Sequence, residues 1–186
     1  MIIIFIGPPF AGKGTQVELL GKKLNLPVFS MGHLIREAYG AGDQKAIEGF
    51  EKYSLKGLHL PINLKFGLLK EKLDKAENGF ILDNFPATKE DLDAFNNYLS
   101  EQNLRVDRVF YVFVSIDEMM RRAGSRGRGD DTPEIIMKRR EIQDTDRIYV
   151  IEYFRNKGIL EEINGERNVT EVHQDILSRL GVRNAS

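Results

Sequence analysis

The sequence predicts an α/β fold: a three-layer sandwich with a central, parallel, five-stranded sheet flanked by helices. Two observations point there. Along the 186 residues, short apolar runs of strand length alternate with longer segments of helical periodicity. The first such run, Ile2 to Ile6, is unbroken, rich in β-branched residues and ended by Gly7, as a strand buried on both faces of a parallel sheet would be.

The elements follow in order. Residues 14–24 carry Val17, Leu20 and Leu24 at helical spacing with Lys and Glu between them, and residues 26–29 read as a second strand. Ser30 is placed to cap a helix running to about Tyr39, with Leu34 and Ile35 on its apolar side. Residues 41–57 are polar and punctuated by glycine, which suggests a short helix within an excursion. Pro61 opens an amphipathic helix whose apolar stripe is Ile62, Phe66, Leu69, Leu73 and Ala76. Residues 79–83 form the third strand, 88–101 a helix and 108–114 the fourth strand. A helix from Asp117 carries Arg122 and Arg126 on one face. Thr132 and Pro133 restart a helix that reaches Gly158, with a bend or break expected near Asp144. Residues 159–163 are the fifth strand, and 169–180 a closing helix that turns Val172, Ile176, Leu177 and Leu180 inward. There is no internal repeat and no low-complexity segment.

The chemistry concentrates after the first strand. Gly7, Gly12, Lys13, Gly14 and Thr15 are the ingredients of a loop that turns backbone N–H groups toward a phosphate and hands it to a helix N-terminus. Lys13 adds a mobile positive charge for the outer phosphates. The common pattern has Ser or Thr directly after the Lys, whereas here Gly14 intervenes before Thr15. Asp83 ends the third strand, and ligands in parallel sheets lie outside the carboxyl ends of strands. A carboxylate there can hold Mg²⁺ through water, because that ion dehydrates reluctantly. Moving a phosphoryl group between two anions requires several negative charges to be neutralised, and Arg122, Arg126, Arg128 and Arg139 supply forked cations for it.

Composition narrows the partners. With 27 basic and 28 acidic residues there is no general attraction to nucleic acid. Cys is absent, which excludes disulfides, thiolate metal sites and thiol nucleophiles. The first apolar run is too short for a membrane span and lacks the features of a signal peptide. A cytoplasmic, monomeric protein is expected, and Asn168-Val169-Thr170 is read as an unused glycosylation sequon.

Four separated stretches then resemble the nucleoside monophosphate kinases, above all the adenylate kinase family. These are the G-K-G-T loop of residues 7–16; F-S-M-G-H-L-I-R at 29–36, similar to I-S-T-G-D-M-L-R; D-N-F-P-A-T at 83–88, similar to D-G-F-P-R-T; and Arg122, Arg126, G-R-G-D-D at 127–131 and Arg139. The resemblance covers nearly the whole chain. It implies a P-loop NTPase-type domain over residues 1–186, with a monophosphate-binding insertion at 30–59 and a minimal lid loop at 126–131 without zinc-binding Cys. It also implies that Gly7, Gly12, Lys13, Gly14, Thr15, Arg122, Arg126 and Gly165 bind ATP, and that Ser30, Met31, Arg36, Phe85, Arg128 and Arg139 bind the monophosphate. Lys13, Arg126, Arg128, Arg139 and Asp83 would be catalytic, with Mg²⁺ as cofactor.

Departures gather on the acceptor side. Phe10 stands where the loop normally has Gly, Met31 and His33 replace Thr and Asp, Ala87 replaces an acceptor-phosphate Arg, and Asp91 falls where the adenine-reading Gln is expected. Three readings follow: ATP-dependent phosphorylation of a nucleoside monophosphate, AMP by family default; a kinase of the same fold with another small acceptor; and a nucleotide-binding protein with little transfer activity. A GTPase is disfavoured because N-K-G-I at 156–159 lacks the guanine-reading Asp, and a hydrolytic motor because Asn84, not Glu, follows Asp83.

Overall fold

A computed structural model describes residues 1–123 and 132–182. Its five strands are β1 (Ile2–Ile6), β2 (Val28–Ser30), β3 (Phe80–Asp83), β4 (Arg108–Phe113) and β5 (Leu160–Asn164). They form one all-parallel sheet in the order β2-β3-β1-β4-β5. The helices are α1 (Lys13–Leu24), α2 (Met31–Gly40), α3 (Gln44–Lys52), α4 (Ile62–Asp74), α5 (Lys89–Glu101), α6 (Ile116–Ala123), α7 (Pro133–Asn156) and α8 (Val169–Arg179), with a 3₁₀ turn at Ser54–Lys56.

The uninterrupted apolar character of β1 is explained by its central place, because every one of its residues is buried. Alternate side chains face opposite layers. Ile2, Ile4 and Ile6 pack into a core with Leu69 and Leu73 of α4, Leu92 and Phe95 of α5, and Val150 and Phe154 of α7. Ile3 and Phe5 pack into a second core with Val17 and Leu20 of α1, Met119 of α6 and Val172 and Ile176 of α8. The sheet is thus the middle of three layers.

Side-chain caps fix where four helices begin, with Asp43 accepting from the Ala46 N–H at the start of α3. Thr88 accepts from the Asp91 N–H at the start of α5, and Thr132 from the Ile135 N–H at the start of α7, where Pro133 follows. Asn168 accepts from the Glu171 N–H while Glu171 reaches back, a capping box at α8. Each cap is worth about 1 kcal/mol.

Four expectations change. The second strand lies at Val28–Ser30 rather than 26–29, and Ser30 does not cap α2 with its side chain. The short helix expected in the excursion at 41–57 is present as α3, followed by the 3₁₀ turn. α7 runs without a break through Asp144, which accepts from Arg140 one turn before it and Arg147 one turn after, so its charge is satisfied within the helix. Phe66 of the α4 stripe is only half-buried. Among the described residues no helix is long and apolar enough to cross a membrane.

Candidate active site

Strand register assembles the site. Phe5 pairs with Asp83, and Ser30 pairs with Asp83 on the other side, so the carboxyl ends of β1, β3 and β2 finish in one row. That is where the chain changes direction in the sheet, since β1 is flanked by β3 and β4, and such a switch point opens a crevice. The 7–12 loop leaves β1 directly into it.

The loop is held by backbone packing. Gly7 has φ 151°, and a Cβ there would lie 2.1 Å from the Val112 carbonyl oxygen, so only glycine fits against β4. Phe10 has φ 60° and takes the left-handed backbone that a glycine adopts at low cost. Its side chain packs against the apolar core around α1 and α8, so the aromatic ring turns inward from the loop. Lys13 is buried, and its Nζ donates to the carbonyl oxygens of Gly7 and Pro8 at 2.8 Å each. Gly12 precedes α1, whose first turn leaves Gly14 and Thr15 exposed.

Arg122 ties three segments together. Its Nη1 donates to the Phe10 carbonyl at 3.2 Å, its Nη2 to the Gly165 carbonyl at 2.8 Å, and its Nε to Glu118. Hydrogen bonds from Arg121 and Arg122 hold the Glu118 carboxyl down at about 2. Gly165 is buried between the loop and β4: a Cβ there would stand 2.8 Å from the Ala11 carbonyl oxygen and 3.0 Å from that of Phe113.

Opposite the loop, one cavity is bordered by Lys13, Ser30, Met31, Arg36, Asp83 and Arg139. Asp83 Oδ2 accepts from Ser30 Oγ at 2.9 Å, while Oδ1 is buried and has no hydrogen-bond donor among the described residues. An orphaned carboxylate oxygen beside Lys13 fits a hydrated divalent cation, whose waters would supply the missing donors. No group of three His, Cys, Asp or Glu gathers among the described residues, so the donor set suits an ion that keeps its water rather than one caged by protein. Arg139 reaches the cavity from α7, with Nη2 donating to the Ser54 carbonyl at 2.9 Å.

The rest of the cavity wall went unread in the sequence. Lys65, His59 and Gln143 also line it. Lys65 and Asp91 are both buried and form an ion pair, with Lys65 Nζ donating at 2.7 and 2.8 Å to the two carboxylate oxygens. Asp91 Oδ2 also accepts from the Ala87 N–H at 3.0 Å. Asp91 is therefore an orienting group within the wall, and does not itself border the cavity. A signal existed: Lys65 falls three residues after Ile62 and four before Leu69, inside the apolar stripe of α4. Burial, helped by the Lys65 charge, lowers the His59 pKa, with Asp146 opposing.

Phe85 does not reach the cavity, because its ring is fully buried against Phe66 and Phe95. Arg126, Arg128 and the proposed lid lie outside the described residues.

A phosphate-loop motif between β1 and α1, a carboxylate at the end of the neighbouring strand and a 2-3-1-4-5 parallel order define the P-loop NTPase class. Within that class, a family model described as adenylate kinase matches residues 5–159. The chain is 35% identical over 184 residues to the adenylate kinase of Leptospira biflexa, covering 96% of this chain and 98% of that one. It is 36% identical over 183 residues to that of Mycolicibacterium smegmatis, covering 97% and 99%. It is 31% identical to that of Archaeoglobus fulgidus, covering 95% and 96%. The chain belongs to the adenylate kinase family.

Proposed function

We propose that the protein transfers the γ-phosphoryl group of ATP to AMP, giving two ADP, with Mg²⁺ as cofactor. The observation that carries this reading is the meeting of Lys13, Asp83 and Arg139 around one cavity at the carboxyl ends of β1 and β3. The donor lies along the 7–15 loop, its phosphates on the backbone N–H groups at the start of α1 and its base toward Gly165. Lys13 exchanges the Gly7 and Pro8 carbonyls for the outer phosphates. Arg122 holds the loop and the Gly165 segment in register. On the acceptor side, Arg36 and Arg139 neutralise the monophosphate, and Ser30 and Met31 border it.

No protein nucleophile is required. An oxygen of the acceptor phosphate bonds to the γ-phosphorus as the bond to the β–γ bridging oxygen breaks, and the electrons leave on ADP. Catalysis is alignment plus stabilisation of charge on the equatorial oxygens. Arg139 supports that charge from α7; Arg126 and Arg128, beyond the described residues, complete the guanidinium set. Asp83 would hold Mg²⁺ through water, and the ion supplies charge neutralisation at the β- and γ-phosphates.

The test offers purified protein Mg-ATP with AMP, CMP, UMP or GMP and resolves the products by chromatography. ADP formation from AMP is expected, and Lys13→Ala lowers kcat by about 10²–10³-fold. Nucleotide binding without any product, or full activity in Lys13→Ala, overturns the reading.

A further inference from the structure

The buried Lys65–Asp91 pair takes no part in the phosphoryl-transfer mechanism. Burying an ion pair is energetically poor: apolar residues of the same volume are often as stable or more so, because two charges must be stripped of water. Here Asp91 is immobilised three times over. Its own N–H is capped by Thr88 Oγ1 at 3.1 Å, Oδ2 accepts from the Ala87 N–H, and both oxygens accept from Lys65. An ammonium has three donors. Asp91 takes two of them, and Lys65 borders the cavity with the third donor unclaimed among the described residues.

The surroundings of Lys65 suit a flat, aromatic occupant. Met31, Ile35 and Leu60 supply apolar surface on the same cavity. His59 lines it too, and its Nε2 is buried 3.3 Å from Asp146 Oδ2, with no hydrogen-bond partner among the described residues. A neutral imidazole offers one donor and one acceptor, and either ring nitrogen can take either role.

We propose that Lys65, oriented by Asp91, reads hydrogen-bond acceptors on the acceptor base, and that the site accepts 6-oxopurine monophosphates alongside AMP. This rests on the kinase reading above. Lysine only donates, so it selects for lone pairs and is indifferent to the amino group at position 6. A point charge on a flexible stem lacks the fixed fork that separates one edge from another. It meets a ring nitrogen of adenine or the O6 carbonyl of a 6-oxopurine. The reaction is unchanged: an oxygen of the 6-oxopurine monophosphate bonds the γ-phosphorus, the bond to the bridging oxygen breaks, and ADP and the 6-oxopurine diphosphate leave.

The experiment compares AMP, IMP and GMP as acceptors with Mg-ATP, for the unaltered protein and for Lys65→Met/Asp91→Asn, which leaves no orphaned charge. The unaltered protein is expected to phosphorylate IMP or GMP with kcat/KM within about tenfold of AMP. In the double variant the KM values for AMP, IMP and GMP each rise about tenfold, the loss of one charged hydrogen bond to the base, with kcat and the ATP KM little changed. Turnover of AMP without IMP or GMP overturns this proposal and leaves the kinase reading standing; no turnover of AMP removes the kinase reading itself. Unchanged acceptor KM values, or a matching rise in the ATP KM, would make the pair purely structural. Acceptor turnover by the unaltered protein decides the matter even where the double variant does not fold.

Discussion

Replacing Gly165 by Ala adds one methyl group at the crossing of three segments. The new Cβ would meet the Ala11 carbonyl oxygen at 2.8 Å, Val112 Cγ1 at 2.8 Å and the Phe113 carbonyl oxygen at 3.0 Å. Two of these are backbone atoms, in the phosphate loop and at the end of β4, and neither can rotate away. Overpacking of this kind costs about 1–3 kcal/mol. Against it, alanine restricts the unfolded chain and returns about 0.4–1 kcal/mol. The net loss is about 1–2 kcal/mol, read as a lower urea midpoint at constant slope. The strain falls on Ala11 and on the Gly165 carbonyl that Arg122 holds, both on the proposed donor side. Carried into ATP binding at about 1.4 kcal/mol per factor of ten, that strain raises the ATP KM by about 5- to 30-fold, while the AMP KM stays within about twofold. Unchanged stability together with an unchanged ATP KM, or an equal rise for both substrates, refutes the placement of the donor beside Gly165.

Asp83→Asn keeps the hydrogen bond with Ser30 but removes the negative charge, so the Mg²⁺ concentration for half-maximal rate at fixed ATP is expected to rise about 10- to 100-fold. A flat Mg²⁺ titration relative to the unaltered protein argues against Asp83 as the carrier of the cation. His59 is held in its neutral form by burial and the nearby Lys65. Its folded pKa lies below the unfolded value of about 6.5, so the folded state resists protonation, and stability present above that pH is lost as pH falls through it. His59→Gln is expected to lose less stability than the unaltered protein between pH 7.5 and 5.5, in urea titrations at both pH values. Parallel losses in the two proteins would exclude His59 as a contributor.

The legible parts of the sequence were those set by local pattern. The β1 run, the loop after it and the amphipathic stripe of α4 could be read because their signals recur within a few residues. Ser30 misled, because its hydroxyl is claimed by Asp83, 53 residues away, through strand register rather than by the helix it precedes. Phe10 stands where the loop normally has Gly, and its backbone takes the glycine-like left-handed conformation while its partly buried side chain packs against the core. The bend or break expected near Asp144 is absent, since Arg140 and Arg147, one turn away on either side, satisfy its charge within the helix. Least legible was the Lys65–Asp91 pair. Its partners are 26 residues apart on two helices, and only the oddity of a lysine within an apolar stripe hinted at it.

The continuity of α7 makes that helix a datum for the molecule. Its 24 residues span about 36 Å, with Val150 and Phe154 sunk in the core and Arg139 and Gln143 at the cavity wall. An unbroken ladder of backbone bonds transmits position along its length without a joint, so the guanidinium of Arg139 is surveyed from the centre of the protein. The 54–57 turn, which meets Arg139 through the Ser54 carbonyl and the close approach of Gly57, is thereby indexed to the same datum.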